Sequence, residues 1–494
     1  MSISEFDYDL LIVGGGINGV GIAADAAGRG LRVLLCEKSD LAGATSSWSS
    51  KLIHGGLRYL EHYEFGLVRK SLRERDVLTT AARHLVHPVA FQIPMLDNSR
   101  SALLMRMGLF LYDNLAKRIH YKGSRGVRYD KYGVLNPTIR RGLEYWDAQV
   151  DDSRLVVVNA LQAREHGAEI MTRTECVKLE SIPVGWQASL RDQADDKEIS
   201  ISCKVVINAA GPWVGSLYET LQQKSAPYEL RLVKGSHIVV PRLHDGEEAF
   251  LLQHHDGRIV FVIPYLKDYS LIGTTEEEFT GNLDRIEISA EEVEYLIAIS
   301  NLYFKQSIRR ADIVHSFSGV RPLIDEQGKS ASSVSRDYRL LLDKAPSPMM
   351  SVYGGKVTTY RLLAERAVNQ LGQFFPRMQG AWTRRARLPG GDFDMAEKLF
   401  QELAREYAWL GPDIIARWLR TYGTLSLEIL KNCRSMGDLG VRFGANLYQR
   451  EVDYLRKQEW AQTAEDILWR RTKLGYQFSD KEVQSLANYL QQAS

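Results

Sequence analysis

Three glycines near the start of the chain have the spacing of a loop that binds the pyrophosphate of a dinucleotide. Gly14, Gly16 and Gly19 form G-x-G-x-x-G between an apolar strand, Leu10 to Val13, and a helix of small residues from about Ile17. The first glycine permits a tight turn, the second lets the backbone approach the pyrophosphate, and the third lets helix and strand pack closely. The N-terminus of the helix then supplies the anion site.

An acidic residue follows at the distance that such a loop requires. A second apolar strand, Leu31 to Cys36, ends at Glu37. A carboxylate at this place bonds both hydroxyls of an adenosine ribose, which favours FAD or NAD over NADP. The sequence has no second loop of this kind and no cysteine cluster for an iron–sulfur relay, so the final electron acceptor is expected to be diffusible.

The run "SSKLIHGGLRYLE", residues 49–61, brings several nitrogen bases together shortly after this loop. Lys51, His54 and Arg58 surround the pair Gly55 and Gly56. Glycines let the main chain pass close to a flat ring, and converging cations suit an anionic ligand. The run therefore predicts a site where a small anion meets the cofactor.

Two later segments repeat the design of a strand that runs into a turn. Val205 to Val214 ends in Ala-Ala-Gly-Pro, and Met349 to Val368 reads as a strand, a Gly-Gly turn and a helix. The second segment places a helix N-terminus at Lys356 to Thr359, where its dipole could stabilise the negative charge that builds on a reduced flavin. Nicotinamide needs no such device, so FAD is favoured over NAD.

Several segments together resemble the FAD-dependent, quinone-linked, membrane-associated glycerol-3-phosphate dehydrogenases over nearly the whole chain. They are "GGGINGVGIAADAAGRG", "TSSWSSKLIHGGLRYLE", "NAAGPW", "LVKGSHIVVP", "FVIPY", "IGTTE", "SGVRPL" and "GGKVTTYR". The resemblance implies oxidation of sn-glycerol 3-phosphate to dihydroxyacetone phosphate, with electrons passed through FAD to a membrane quinone. Two alternatives are a glycerol-3-phosphate oxidase that uses O₂ and a flavin-binding metabolite sensor without turnover.

The substrate implied by this resemblance is a small dianion whose strong handle is its phosphate, so its pocket needs two or more cations. The resemblance implies that Arg58, Arg321, Arg336 and Lys356 face the substrate and that the hydroxyl of Tyr59 contacts the phosphate. An arginine in a loop is often a solvated charge instead. This alternative applies most to Arg336, because the next residue is an aspartate that could pair with it.

The implied reaction transfers a hydride from C2 of the substrate and needs a base for the C2 hydroxyl proton. His54 is the first candidate, because neighbouring cations should lower its pKa and keep the imidazole neutral. The alternative is that His54 only holds the Gly-Gly loop against the flavin. Arg321 would polarise the developing alkoxide. His237 and His315 are weaker candidates for the base.

The resemblance also implies a set of cofactor contacts drawn from all of these segments, and no metal ligands. The residues are Gly14, Gly16, Asn18, Gly19, Glu37, Thr45, Ser46, Ser47, Lys51, Leu52, His54, Val177, Ala210, Gly211, Trp213, Gly319, Gly355, Lys356, Val357 and Thr358.

Composition limits the other classes of function. A net charge of +2 over 494 residues offers no global field for nucleic acid, so no nucleic-acid partner is expected. The four cysteines are far apart, which indicates neither a zinc cage nor a disulfide framework and favours a reducing cytoplasm. The N-terminus lacks the basic region and cleavage site of a secretory signal.

The stretch Asn98 to Arg128 carries an excess of positive charge that the chain as a whole lacks. It holds seven Lys or Arg residues against one Asp, a net charge of +6. Leu104, Met107, Leu111 and Leu115 recur at helical spacing, with the charged residues on another face. The pattern indicates a helix that lies on an anionic membrane, peripherally on the inner face of the cytoplasmic membrane. The alternative is a helix packed in the core with a basic solvent face.

The expected fold is α/β: a Rossmann-like FAD-binding domain, an inserted antiparallel-sheet domain and a C-terminal helical domain. The FAD-binding domain is predicted over 1–65, 150–215 and 316–385. The substrate-binding and membrane-facing domain is predicted over 66–149 and 216–315. After the break at "RLPGGD", the range 386–494 is predicted to be helical. Its basic and aromatic faces are consistent with a homodimer.

Overall fold

The computed structural model describes residues 6–96, 101–222, 225–325 and 337–492. The strands in this part of the chain are β1 (Tyr8–Val13), β2 (Val33–Cys36), β3 (Leu52–Ile53), β4 (Val86–Pro94), β5 (Arg125–Arg128), β6 (Arg141–Val150), β7 (Glu169–Met171), β8 (Thr174–Ile182), β9 (Gly185–Asp192), β10 (Glu198–Asn208), β11 (Leu230–Pro241), β12 (Ala249–Gln253), β13 (Ile259–Tyr265), β14 (Tyr269–Gly273), β15 (Glu277–Glu278), β16 (His315–Ile324), β17 (Arg339–Asp343), β18 (Met349–Tyr353), β19 (Arg442–Gly444) and β20 (Leu447–Tyr448).

The α-helices of the same ranges are α1 (Ile17–Ala27), α2 (Phe65–Ala81), α3 (Ala102–Asn114), α4 (Asp152–Glu165), α5 (Val214–Gln222), α6 (Ala290–Tyr303), α7 (Tyr360–Leu371), α8 (Ala396–Glu406), α9 (Pro412–Tyr422), α10 (Ser426–Leu430), α11 (Gln449–Glu459) and α12 (Asp480–Gln492). Short 3₁₀ turns connect several of them.

The first sheet has the order β17-β18-β10-β1-β2-β7, and the antiparallel strands β9 and β8 extend it from β10. Strand β1 runs parallel to β2 and β10, and β10 runs parallel to β18. Val13 at the end of β1 therefore lies between Cys36 and Asn208. Because the carboxyl ends of parallel strands meet at one edge, the three predicted turns after β1, β10 and β18 lie together.

Helices α1, α4 and α7 cover one face of this sheet and form a single apolar core with it. Helix α1 consists almost entirely of glycine, alanine, valine and isoleucine, and nearly all of its residues are buried. Small side chains let α4 and α7 approach it closely. A Cβ atom at Gly21, for example, would lie 2.8 Å from the Tyr360 ring. The predicted parallel, helix-covered cofactor domain is confirmed.

The second sheet has the order β15-β11-β14-β13-β12-β4-β6-β3, with β16 paired to β11 and β5 paired to β6. Every pair is antiparallel except β12 with β4. Alternate residues of β11 point to opposite layers: Val239 packs with Leu72 and Tyr112 of α2 and α3, whereas Ile238 packs with Leu296 of α6. The predicted antiparallel domain is therefore present and is buried on both faces.

Two strands assigned by sequence to the cofactor domain pair in the second sheet instead. Strand β3 pairs with β6, and β16 pairs with β11 from Val239 opposite His315 to Leu230 opposite Ile324. The boundaries expected near 65 and 316 therefore do not separate the sheets. The reason is geometric: the chain first crosses into the second sheet just before β3, and its last return to the first sheet comes only after β16.

The predicted C-terminal helical domain is confirmed, with α8 to α12 around a core of its own. The aromatic centre of this core includes Trp418 and Tyr422 of α9, whose polar atoms both donate to the buried carboxylate of Glu451. The homodimer expected from this domain stays a prediction.

Candidate active site

The turn after β1 has the geometry that a pyrophosphate needs. Gly14 has a φ of +116°, and a Cβ atom there would lie 2.6 Å from the carbonyl oxygen of Ala209. A Cβ atom at Gly19 would lie 1.9 Å from the carbonyl oxygen of Gly14. Helix α1 begins after Gly16, which has no side chain to cover the helix N-terminus, so a ligand can approach the backbone N–H groups there. The residues present therefore fit a dinucleotide phosphate.

Glu37 lies directly after β2, as expected for the ribose-binding acid. Its carboxylate accepts hydrogen bonds from the Gly15 N–H at 2.7 Å and from the Ser39 N–H at 2.8 Å. These two bonds fix the carboxylate at the mouth of the glycine loop. It is thus oriented before any ligand arrives.

The predicted residues 45–47 form a 3₁₀ turn beside the same loop. Ser46 Oγ accepts a hydrogen bond from the Ile17 N–H at 3.0 Å, and Thr45 donates to the Val320 carbonyl at 2.8 Å. The turn therefore joins the start of α1 to strand β16 of the second sheet. Ser47 is buried and donates to the carbonyl of Ala44.

The turn after β18 lies on the other side of α1. Gly354 and Gly355 have φ values of +71° and +98°, and Asn18 Nδ2 donates to the Gly354 carbonyl at 3.2 Å. Lys356 precedes a 3₁₀ turn, Val357–Thr359, that leads into α7. The helix N-terminus predicted for Lys356 to Thr359 is therefore present.

The remaining predicted cofactor residues are spread over the edges of both sheets. Gly211 and Trp213 form a 3₁₀ turn after Ala210, at the end of β10, with φ of +57° at Gly211. Val177 lies at an irregularity in β8. Gly319 contacts Trp48, and Leu52 is buried in β3. The structure thus gathers most of the set around the first sheet's edge, while its contacts with a cofactor stay a prediction.

A cavity of about 750 Å³ lies between the second sheet, at strands β4, β6, β12, β13 and β16, and the segment 54–65 together with α3. Of the residues predicted for chemistry, it is lined by His54, Arg58, Tyr59 and Arg321. These come from two distant parts of the sequence, residues 54–59 and strand β16, and the turn that precedes β3 bonds β16 through Thr45 and the Val320 carbonyl. The structure therefore unites the base candidate with three substrate candidates.

The cations of this group have different environments. Arg321 Nη2 donates to Thr274 Oγ1 at 3.2 Å, whereas Arg58 lies 3.3 Å from the carboxylate of Glu276. Lys356 does not line the cavity itself, but its Nζ lies 4.6 Å from the centre of the Tyr59 ring, which does. Arg336 lies outside the described residues.

Lys51 has a different position from the one that the run 49–61 suggests. Its ammonium group is buried and bonds Asp152 Oδ1 at 2.8 Å and the Ser47 carbonyl at 3.0 Å. The side chain does not line the cavity. The charge of Lys51 is therefore balanced by α4, a partner that no local pattern indicates.

His54 has the electrostatic state expected of a base. Burial, the ammonium of Lys356 and the guanidinium of Arg321 lower the pKa of the His54 imidazole to about 3. The imidazole is consequently neutral at physiological pH and able to accept a proton. The predicted direction of this pKa shift is confirmed.

The two weaker histidine candidates lie elsewhere. His237 is buried, bonds Ser50 Oγ at 2.9 Å and stacks on Phe317. His315 stacks on Trp469 of the C-terminal domain at 4.6 Å. Neither residue lines the cavity, so His54 remains the histidine of this group that faces it.

A buried polar cluster behind His54 escaped sequence reasoning. The Gly55 N–H donates to the hydroxyl of Tyr112 at 2.8 Å, and this hydroxyl donates to Asp147 at 2.7 Å. Arg75 bonds the same carboxylate at 2.6 Å. On the other side, the His54 N–H donates to Thr358 Oγ1 at 3.2 Å. The backbone of the His-Gly-Gly loop is therefore held from two directions.

Further polar residues of the cavity were also missed as individual candidates. They follow β14 in the segment "IGTTE" or lie on β12 and next to β13: Gln253, Arg258, Thr274, Thr275 and Glu276. The available signal was the polar run at the end of an apolar strand, where side chains often serve binding.

Helix α3 presents its predicted apolar stripe to solvent. Leu104, Met107 and Leu111 are 63%, 57% and 44% exposed, and Phe110 is 66% exposed. Leu115, the last residue of the predicted stripe, lies just after α3, is half-buried and packs against the core. The alternative of a helix with this stripe packed in the core is therefore wrong for the other three residues; α3 contacts the core through Leu109 and Tyr112. Within the described ranges, no helix is both long and apolar enough to span a bilayer.

Cations lie beside this stripe. An open cleft of about 480 Å³ is lined by Arg69 and Arg73 of α2 and by Lys117 and Arg118, which follow α3. The carboxylate in this lining belongs to Asp113, which pairs with Arg118 at 3.1 Å. The cleft therefore carries an excess of positive charge next to an exposed apolar surface.

Two family models match the chain. The model described as FAD dependent oxidoreductase matches residues 9–361, and the model described as the C-terminal domain of alpha-glycerophosphate oxidase matches residues 381–493. The boundary between them agrees with the start of the helical domain.

Similar proteins cover nearly the whole chain. The glycerol-3-phosphate dehydrogenase of Pseudomonas aeruginosa is 52% identical, covering 98% of this chain and 95% of that protein. The aerobic glycerol-3-phosphate dehydrogenase of Escherichia coli is 45% identical and covers 94% of each chain. Among solved structures, the glycerol-3-phosphate dehydrogenase of Bacillus halodurans complexed with FAD has a TM-score of 0.75 and 25% identity, covering 100% of this chain and 95% of that chain.

The low pKa of His54 predicts a dependence of stability on pH. Below its ordinary pKa of 6.5, the imidazole of the unfolded chain takes up a proton. The imidazole of the folded chain stays unprotonated down to about pH 3. The free energy of unfolding therefore falls as the pH falls through this window, by roughly 1–2 kcal/mol at pH 5 from this group. Denaturant unfolding of the apoprotein at pH 7 and pH 5 should show this loss for the wild type and a loss smaller by that amount for His54→Gln. Equal losses would show that His54 titrates normally.

Proposed function

Because this chain belongs to the FAD-dependent oxidoreductase family, we propose that it oxidises sn-glycerol 3-phosphate to dihydroxyacetone phosphate. The observation that carries this proposal is a neutral His54 in one cavity with Arg58 and Arg321. A phosphate needs the cations, and a secondary alcohol needs the base. FAD, when bound, supplies the acceptor for the hydride that leaves C2 of the substrate.

We assign phosphate binding to the cations in and beside the cavity and proton transfer to His54. Arg321 is the proposed principal phosphate ligand, because its guanidinium lines the cavity, donates to the hydroxyl of Thr274 and lies close enough to His54 to lower the pKa of that imidazole. Arg58 is opposed by Glu276, which reduces its net attraction for an anion. The hydroxyl of Tyr59 completes the wall, with Lys356 beside it on the side of α7. Arg336 is retained as a phosphate ligand on the family resemblance alone.

His54 accepts the proton of the C2 hydroxyl on a ring nitrogen. Its low pKa keeps it available as a base, and the substrate's negative phosphate partly offsets the cations that lower this pKa. The His54 N–H donates to Thr358 and the Gly55 N–H donates to Tyr112, and these two bonds fix the backbone that carries the ring. Backbone N–H groups at the N-terminus of α7 would stabilise negative charge on the bound cofactor.

A membrane quinone is proposed as the electron acceptor. The mouth of the cavity is lined by Leu104, Met107 and Leu111 of α3, together with Tyr63 and Phe65. The same exposed apolar residues that would enter a lipid layer therefore border the route to the base and the cofactor. An acceptor dissolved in the membrane would reach the site without crossing water.

The basic cleft supports attachment to an anionic membrane surface, on the inner face of the cytoplasmic membrane. Arg69, Arg73 and Lys117 lie beside the exposed stripe of α3, so apolar and cationic contacts fall on one side of the molecule. Each cation near an anionic leaflet contributes about 1 kcal/mol.

An oxidase that passes electrons to O₂ is the second candidate, favoured by the match of residues 381–493 to the C-terminal domain of alpha-glycerophosphate oxidase. The two functions differ in how the reduced protein is reoxidised. After anaerobic reduction by substrate, rapid reoxidation by a soluble quinone with slow reoxidation by air supports the dehydrogenase. Rapid formation of hydrogen peroxide at the turnover rate would support the oxidase.

Replacing Arg321 tests the phosphate site. Arg321→Ala should weaken transition-state stabilisation by roughly 2–5 kcal/mol, because a desolvated charge contact is lost. Measured as kcat/KM with glycerol 3-phosphate and a soluble dye, the loss should occur while FAD remains bound. Arg309→Ala, which removes an arginine that is 81% exposed, is the matched control and should leave kcat/KM unchanged. A normal kcat/KM for Arg321→Ala would remove this residue from the site.

Removing the cleft cations tests the membrane attachment. Changing Arg69, Arg73, Lys117 and Arg118 to Gln should reduce binding to anionic vesicles by about two to three decades, at about 1 kcal/mol for each cation. Activity with a soluble dye should persist, and added salt should weaken wild-type binding in the same way.

The control for this experiment changes four exposed cations of the C-terminal domain to Gln: Lys398, Arg405, Lys431 and Arg434. The change in net charge is identical, but vesicle binding should stay near that of the wild type. Equal losses in both variants would mean that overall charge, and not the cleft, determines attachment.

A further inference from the structure

A short segment of the C-terminal domain reaches into the cofactor domain. Arg471 is fully buried, and its Nη1 and Nη2 bond the two carboxylate oxygens of Asp40 at 2.6 and 2.7 Å. Arg470 Nε bonds the same carboxylate at 2.6 Å. Two arginines from one domain therefore converge on one aspartate of the other.

Asp40 belongs to the loop 38–47, which connects the ribose-binding acid to the 3₁₀ turn. The loop begins directly after Glu37 and ends at Ser46 and Ser47. The Ala42 N–H donates to the Gly15 carbonyl at 3.1 Å, so the loop lies against the glycine turn. Displacing Asp40 would consequently move both flanks of the predicted cofactor site.

The same C-terminal segment also anchors residues 49–51, which follow this loop. Lys473 is buried and bonds Ser153 Oγ and, at 3.3 Å, Asp151. Between these two residues, Asp152 bonds Lys51 at 2.8 Å and Ser49 Oγ at 2.7 Å. The start of α4 therefore links Lys473 to residues 49–51 through these bonds.

This region has little structure of its own. Between the end of β2 and the start of β3, the backbone forms one 3₁₀ turn of three residues and otherwise irregular chain. Its backbone bonds neighbouring elements at Ser39, Ala42 and Lys51, and the side-chain anchors at both ends add to these bonds. Buried ion pairs are directional, because a shift of the loop would leave a charge without its partner.

We propose that Arg470, Arg471 and Lys473 are positioning residues that complete the FAD site, so the C-terminal domain acts as a clamp on the loop 38–51. The proposal rests on the cofactor role proposed above for Glu37, Ser46 and Lys51. It predicts that the C-terminal domain determines the affinity for FAD, although none of its residues needs to touch the cofactor.

The conservative substitution Arg471→Lys tests this clamp in the full-length holoenzyme, because it keeps the charge but removes the two-pronged contact with Asp40. The dissociation constant of FAD should rise at least tenfold, and activity should recover at saturating FAD. The matched control is Arg417→Lys, which removes a two-pronged contact with the buried carboxylate of Glu451 inside the C-terminal domain and bonds neither Arg471 nor any residue of the loop. The thermal midpoint of the apoprotein should fall by a similar amount in both variants.

The outcomes are distinct. A tenfold loss of FAD affinity in Arg471→Lys alone supports the clamp. Equal FAD affinities in the two variants, whether normal or weakened, would overturn it, since the C-terminal domain would then have only a general stabilising role. If the variants show this difference in FAD affinity but the wild type is not reduced by glycerol 3-phosphate, the proposed substrate is refuted and the clamp is still supported.

A second variant covers the case in which Arg471→Lys does not fold. Asp40→Asn combined with Arg471→Met removes both charges, and such exchanges of a buried pair are often neutral for stability. The doubly changed protein should fold and still bind FAD at least tenfold more weakly. Wild-type affinity in this variant would overturn the proposal.

Discussion

The cations that surround a neutral imidazole are the constraint on which the account of this site depends. Burial lowers the pKa of His54 most, Lys356 and Arg321 lower it further, and an anionic substrate would supply the charge that balances these cations. The same electrostatic arrangement therefore binds a phosphate and keeps the base unprotonated. A pocket with carboxylates in place of these cations would raise the pKa of the imidazole and repel the substrate.

Most of the fold serves to bring this group together. His54 comes directly after β3, Arg321 from β16 and Lys356 from the turn before α7. Thr45 joins the first two through its bond to the Val320 carbonyl, next to Arg321, and Thr358 joins the third through its bond with the His54 N–H. The C-terminal domain adds anchors at Asp40 and Asp151, where the cofactor loop has no regular structure to hold it.

Local patterns predicted the parts of the structure whose causes are local. The glycines of the first turn, Glu37 after β2 and the helix start after Lys356 follow from backbone sterics and helix N-termini, and the structure contains each of them. The pairing of Lys51 with Asp152 could not be predicted, because these partners meet only after the chain has folded. The bond from Gly55 to Tyr112 and the assignment of β16 to the second sheet depend on long-range packing in the same way. The exposure of the α3 stripe was likewise ambiguous, since an amphipathic pattern suits a core and a membrane equally.

The most direct measurement is anaerobic single-turnover mixing of the FAD-bound protein with glycerol 3-phosphate, followed by the visible absorption of the oxidised flavin. The account predicts that the wild type bleaches rapidly and that His54→Gln bleaches more slowly by a factor of about 10² to 10⁴, with FAD bound in both. Equal rates in the two proteins, or a wild type whose absorption does not change, would contradict the assignment of His54 as the base that the surrounding cations keep neutral.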